Sequence, residues 1–195
     1  MKKRLLMIIA SIVLLIAVSG CNTVKEMRIK DEQPTMFGMI YDWGNNPVSG
    51  VSVYVNGAFT ATSDFQGRFV LAINKNDEYA IRLEKKGYET IDGFFISEPL
   101  SILYYRMINA DELIGEAEKH IESFEYDSAL RCVDRALALE EFRYDAAYLK
   151  GVIYFKQNKF DEALAALELS RQLGYTGVYA SRLQKVIEEK KNETR

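Results

Sequence analysis

Histidine is nearly absent from this 195-residue chain: His120 is the single one. Cysteine stops at two, Cys21 and Cys132, proline at three and tryptophan at one. Each shortage excludes something. One imidazole and two distant cysteines leave too few ligands for a His/Cys zinc site. No serine stands in a nucleophile elbow, and neither a glycine-rich phosphate loop nor a cluster of metal ligands appears. Asp64 is alone in its loop, whereas a calcium site needs several converging oxygens. No apolar run reaches the roughly 20 residues that a helix needs to cross a bilayer core. Positive charge is also scarce, with 25 Lys+Arg against 28 Asp+Glu. An acidic body is repelled by phosphates, which argues against a nucleic-acid partner. These absences point away from an enzyme, and no cofactor, metal or small-molecule substrate is expected.

What the chain does have begins at its amino terminus. Lys2, Lys3 and Arg4 precede a run from Leu5 to Val18 that is apolar except for Ser11. A positive head, a short apolar body and small residues at its end form a secretory signal. Val18-Ser19-Gly20-Cys21 then resembles the lipobox of bacterial lipoproteins. That resemblance implies a diacylglycerol on the Cys21 sulfur, cleavage before Cys21 and acylation of the new amino group with a fatty chain such as palmitate. Each buried methylene adds about 0.8 kcal/mol of membrane affinity, so several chains hold firmly. Removal of residues 1–20 takes away three positive charges, and 22 against 28 leaves a mature chain near −6. Acyl chains rather than charge must therefore hold it at an anionic membrane. Asn22 is not the aspartate that goes with inner-membrane retention in some bacteria, so the resemblance favours the outer membrane over the inner one. With Cys21 lipidated, Cys132 has no disulfide partner, and its helical setting "ALRCVDRAL" places it in a core.

Residues 21–35, polar and without period, read as a tether. Two regimes follow, changing near residues 105–110 from a period of two to a helical period. Strands are expected in "MFGMIYDW" (36–43), "VSVYV" (51–55), "AFTAT" (58–62), "RFVLAI" (68–73) and "EYAIRLEKKGYETI" (78–91). Asn56-Gly57 is a two-residue hairpin signal, and Asp64 with Gly67 closes a second turn. Val51, Val53 and Val55 share one face, and Tyr79, Ile81 and Leu83 point inward on another strand. The bridge 91–108 is expected to form one or two strands ending near Met107. Runs of this kind divided by turns every 8–12 residues give a small antiparallel β-sandwich. The stretches "FGMIYDWGNNPVSGVSVYVNG", "TSDFQGRFVLAI" and "YAIRLEKKGYETI" resemble the carboxypeptidase regulatory-like β-sandwich. Gly38, Asp42, Pro47, Gly50, Val53, Ser63-Asp64, Gly67-Arg68-Phe69 and Gly87-Tyr88 carry the likeness. It implies a folded, non-catalytic module, with Phe69 and Tyr88 filling the core.

From Asn109 the pattern is helical and repeats. "FEYDSALRCVDRAL" (124–137) aligns with "NKFDEALAALELSR" (158–171) at a shift of 34 residues. A 34-residue period with an aromatic-Asp-x-Ala-Leu core resembles the tetratricopeptide repeat. "AAYLKGVIYFKQNKFDEAL" (146–164) carries most of it. Gly151 and Ala163 let the helices approach, and Tyr154 and Phe160 fill the space beside them. The first copy has Ala117 for the glycine and His120 for the tyrosine, which makes His120 a packed, hydrogen-bonded imidazole. Glu141 and Tyr175 stand where a terminating proline is common. Asn109 with Glu112, Asp127 and Asp161 are expected to cap helices, and Gly174 to end the fourth. A fifth helix over 176–193, with Tyr179, Leu183, Val186 and Ile187 as its apolar stripe, closes the stack.

The expected fold is thus α+β in separate domains. A signal occupies 1–20, a lipidated tether 21–35, an antiparallel β-sandwich 36–108, and an all-α tetratricopeptide-like domain of two repeats plus a capping helix 109–195. The expected function is that of a membrane-anchored lipoprotein, a non-catalytic adaptor for an envelope protein or peptide segment. By the repeat resemblance, the partner surface comprises Ile114, Glu118 and Ile121, then Tyr148, Val152, Phe155 and Lys156, then Tyr179 and Arg182. Packing against the sandwich or the cap is the other use for these residues. The basic and asparagine clamp for C-terminal carboxylates is missing, since Ile114, Glu118 and Leu149 stand at its positions. The alternative function is glycan or peptidoglycan binding by the sandwich, for which Tyr41, Trp43, Phe59, Phe94 and Phe95 would have to be exposed; most are expected in the core.

Overall fold

The computed structural model describes residues 35–193 apart from 75–76 and 99–100. The signal, the lipobox with Cys21 and the tether up to residue 34 lie outside the described residues. Seven strands come first: β1 (Thr35–Asp42), β2 (Ser52–Val55), β3 (Ala58–Thr62), β4 (Arg68–Ala72), β5 (Glu78–Glu84), β6 (Ile91–Ile96) and β7 (Ile102–Met107). Five helices follow: α1 (Ala110–Glu122), α2 (Tyr126–Leu139), α3 (Tyr144–Lys156), α4 (Phe160–Gln172) and α5 (Val178–Glu193). The chain is an α+β protein with an N-terminal β region and a C-terminal helical region.

The strands form two sheets, ordered β4-β1-β7 and β3-β2-β5-β6. Alternate residues of both point into one core, among them Ile40, Val53, Phe69, Leu71, Ile81, Leu83, Phe95 and Met107. Asn56 and Gly57 both take positive φ, 49° and 80°, and close the β2–β3 hairpin as their types require. The Asp64 carboxylate accepts from the backbone amides of Gln66 at 2.8 Å and Arg68 at 2.9 Å. Those amides hold its pKa below the usual carboxylate value. On β1, Gly38 faces Phe69 so closely that the ring occupies the space of a Cβ.

Two expectations about this half need correction. The sandwich is not wholly antiparallel, because β7 lies parallel to β1 from Phe37↔Ile102 to Asp42↔Met107. A parallel pair needs a crossover, and here the whole β2–β6 segment supplies it. The bridge over 91–108 accordingly gives two strands in different sheets. The second correction concerns aromatics assigned to the core. Trp43 is 56% exposed, Phe59 62% and Phe94 74%, and of that set Phe95 alone is buried. Trp43 stands in the turn past β1, β3 is an edge strand, and Phe94 alternates outward where Phe95 alternates inward.

The helices repeat in space as in sequence. Both ends of α1 recur 34 residues later in α3, and α4 begins 34 residues after α2. Each hairpin turns on a left-handed residue, Phe124 at φ 61° and Asn158 at φ 60°. Equivalent positions are equally buried: Leu113 and Ala147, Ala117 and Gly151, Ala129 and Ala163, Val133 and Leu167. Cys132 is buried in the first pair, and burial pushes its thiol pKa up. Gly174, at φ 104°, follows α4 as expected.

Capping agrees at one site and differs at two. Asn109 and Glu112 form a reciprocal capping box on α1, both bonds 2.9 Å. Asp127 and Asp161 make no cap, because the N-cap positions fall two residues earlier, at Glu125 and Lys159. Instead Asp127 accepts from Gln157 Nε2 at 3.0 Å, and Asp161 pairs with Lys191. Both still place negative charge in a first turn, where the helix dipole favours it. On α5 the inward stripe is Ala180, Leu183 and Ile187; Tyr179 and Val186 are exposed. That register turns the helix by about one residue from the expected one.

Strands and helices meet through specific bonds. Glu112, while capping α1, accepts from the Gly44 amide at 3.0 Å. Arg135 on α2 donates twice to Glu89, each bond 2.6 Å, and the Glu89 amide donates to Ile108 O at 2.9 Å. Arg143, before α3, donates to Asp111, Glu140 and Asp145. The Arg143 guanidinium in turn depresses the Asp145 carboxyl pKa.

Candidate interaction surface

The start of α3 and the loop before α5 bring three tyrosines together. Tyr148 stacks on Tyr175 with ring centroids 5.1 Å apart, and Tyr144 lies 5.6 Å from the same ring. Tyr179 follows four residues after Tyr175, at the start of α5, and burial raises the Tyr148 hydroxyl pKa. Tyr144 and Tyr148 are one turn apart on α3, so both reach Tyr175 in the loop between α4 and α5. Tyr179, 66% exposed, gives the patch its open side, and Arg182 follows one turn later on α5.

The sequence-derived residues divide into two kinds. Tyr148 and Phe155 are half-buried against the core of the second helix pair and α5, with Phe155 tilted over Phe160 at 6.3 Å. Val152 is half-buried between them on the same face of α3. Lys156, Tyr179 and Arg182 are exposed. In the first pair, Ile114 and Ile121 pack into the helical core while Glu118 is exposed. Cys21 lies outside the described residues. Tyr144 and Tyr175 were not among the sequence candidates, although the Tyr144–Tyr148 spacing on one helix face was a usable signal for the first.

The cluster carries aromatic rings and hydroxyls, and Lys156 on α3 and Arg182 on α5 are exposed cations. Aromatic rings beside a cation suit a partner's side chains, which is why tyrosine and arginine dominate interface energetics. His120 lies elsewhere, its Nδ1 2.7 Å from Glu125 Oε2 at the end of α1. Among the described residues, no three His, Cys, Asp or Glu side chains gather to hold a metal ion. No helix among them is long and apolar enough to cross a membrane.

Neither a family model nor a curated protein sequence matches the chain. Among solved structures, a chain of a type II cohesin–X–dockerin complex from Acetivibrio cellulolyticus aligns at 21% identity and a TM-score of 0.33. The alignment covers 40% of this chain and 58% of that one. A likeness that slight bears on neither fold nor function.

Proposed function

We propose that the protein is a lipid-anchored adaptor of the bacterial cell envelope, non-catalytic, whose helical region docks a segment of another envelope protein. In this reading the lipobox-like Val18-Ser19-Gly20-Cys21 supplies the anchor, with the outer membrane favoured. The strands form a carboxypeptidase regulatory-like sandwich, and the helices are two tetratricopeptide repeats closed by α5. The supporting observation is the cluster of the Tyr144, Tyr148 and Tyr175 rings, with the exposed Tyr179 and Arg182 following on α5.

Exposure selects the variants that test it. Tyr148 and Phe155 pack internally, so their loss would confound binding with folding, whereas Tyr179 and Arg182 are exposed. Detergent-phase partitioning and affinity recovery from membranes should separate anchor from dock. Cys21→Ser is expected to move the protein to the aqueous phase. Tyr179→Ser/Arg182→Glu is expected to stay with the detergent and lose the partner. Unchanged partner recovery by that double variant would refute the docking surface, and unchanged partitioning of Cys21→Ser would refute the anchor.

A further inference from the structure

The outward face of the four-stranded sheet holds a second set of converging groups, independent of the helical patch. Cross-strand register puts Phe59, Tyr54, Arg82 and Asp92 in one row across β3, β2, β5 and β6. Phe59 and Tyr54 meet edge to face, their centroids 5.9 Å apart. Arg82 donates from its NH1 nitrogen to both oxygens of Asp92, at 3.1 and 3.0 Å, and from Nε to Glu84 at 2.5 Å. In the next row Phe94 stands opposite Ala80.

Between these groups the sheet is hollow, because small residues floor it. Gly57, Ala80 and Gly93 lie beneath, and Arg82, Asp92 and Phe94 rise beside an open depression of about 470 Å³. A Cβ on Gly57 would meet nothing within 4 Å. The volume falls within the roughly 300–1,000 Å³ of small-ligand sites. A ring as large as Phe94, 74% exposed on an edge strand, has no packing role that accounts for it.

We infer that this hollow is a binding site for neutral saccharide. A pyranose has an apolar face of C–H groups and a rim of hydroxyls. The Phe94 ring matches the first; the planar guanidinium and carboxylate of Arg82 and Asp92 match adjacent hydroxyls, each of which both donates and accepts. Charge decides against the other ligands of this size. Arg82 is already engaged by two carboxylates, Glu84 and Asp92, so the three groups together carry a net negative charge and repel phosphate, sulfate or uronate. An apolar ligand would displace the water that solvates the charged wall without replacing its hydrogen bonds.

The test is titration calorimetry of the full chain in detergent with cellohexaose, xylohexaose, maltohexaose and chitohexaose, and with dextran sulfate as the anionic control. At least one neutral sugar is expected to bind. Phe94→Ala should weaken that binding about tenfold, which corresponds to about 1.4 kcal/mol. Phe94→Tyr should preserve it, and so should Tyr179→Ser on the helical patch. Because Phe94 is exposed, the melting temperature reports whether Phe94→Ala remains folded. Binding of none of the four sugars, binding of dextran sulfate alone, or sugar binding indifferent to Phe94→Ala in the folded variant would each overturn the inference.

Discussion

Gly67→Ala is expected to destabilise the protein by about 3 kcal/mol, while Gly57→Ala costs about 1 kcal/mol. Both glycines hold positive φ, 74° and 80°, so backbone strain alone does not separate them. Surroundings do. A Cβ on Gly57 points into open space, whereas one on Gly67 would lie 2.3 Å from the Ile40 carbonyl oxygen and 3.2 Å from the Val48 amide nitrogen. These are backbone atoms and cannot rotate away. The same Ile40 strand is held by its amide bonding Gly67 O at 2.8 Å and its carbonyl accepting from Val48 N at 2.9 Å. Relieving the clash pulls apart the turn, the β1 strand and the loop after it together. Urea denaturation of the two variants measures the difference. Equal midpoints would show that the close approach of Gly67 to β1 is not a determinant of the fold.

In the helical region the largest expected loss follows Leu167→Ala, about 3 kcal/mol from lost burial and the cavity left behind. Leu167 is fully buried, and its Cδ2 lies 2.9 Å from the place of a Gly151 Cβ. Thirty-four residues earlier the same contact is divided differently, with Ala117 for the glycine and Val133 for the leucine, in one buried cluster. Side-chain carbons total four in each pair, zero with four in one and one with three in the other. Gly151→Ala/Leu167→Val, which copies the first pair into the second, is therefore expected within about 1 kcal/mol of the parent. The alanine also favours helix over glycine by roughly 1 kcal/mol. Denaturation midpoints of both single variants and the double give the coupling. A double variant no better than the sum of its singles would mean that the two repeats do not share one packing solution.

That equivalence shows why the repeat was legible in the sequence. Close approach of two helices admits few residue types, so Ala129 and Ala163, or Ala117 and Gly151, recur whatever surrounds them. Local signals were equally readable: Asn56-Gly57 needs positive φ on two successive residues, and the alternation of Val51, Val53 and Val55 reports a single buried face. Non-local pairing was not readable. Nothing in "SILYYRM" distinguishes a strand beside β6 from one parallel to β1, because that choice depends on a sheet partner some 65 residues away. Phe94 and Phe95 are the same residue in adjacent positions, and strand register alone sends one out and the other in. The expected caps Asp127 and Asp161 sit two residues inside the actual N-cap positions, enough to turn a cap into a link between helices. Of the candidate surface, Tyr148, Tyr179 and Arg182 followed from the 34-residue register. Tyr175 sits in a loop outside any period, and the Arg82–Asp92 pair forms across a hairpin; neither leaves a pattern along the chain.

Docking at the tyrosine patch is the claim on which the functional account turns, and a photo-crosslinking residue placed at position 179 in living cells tests it most directly. Position 162 on α4, also exposed and separate from the patch, serves as the control. The expected result is a discrete protein adduct from position 179 in the membrane fraction, lost on adding Arg182→Glu, and no adduct from 162. Absence of any adduct at 179, or the same adducts from both positions, would contradict the account.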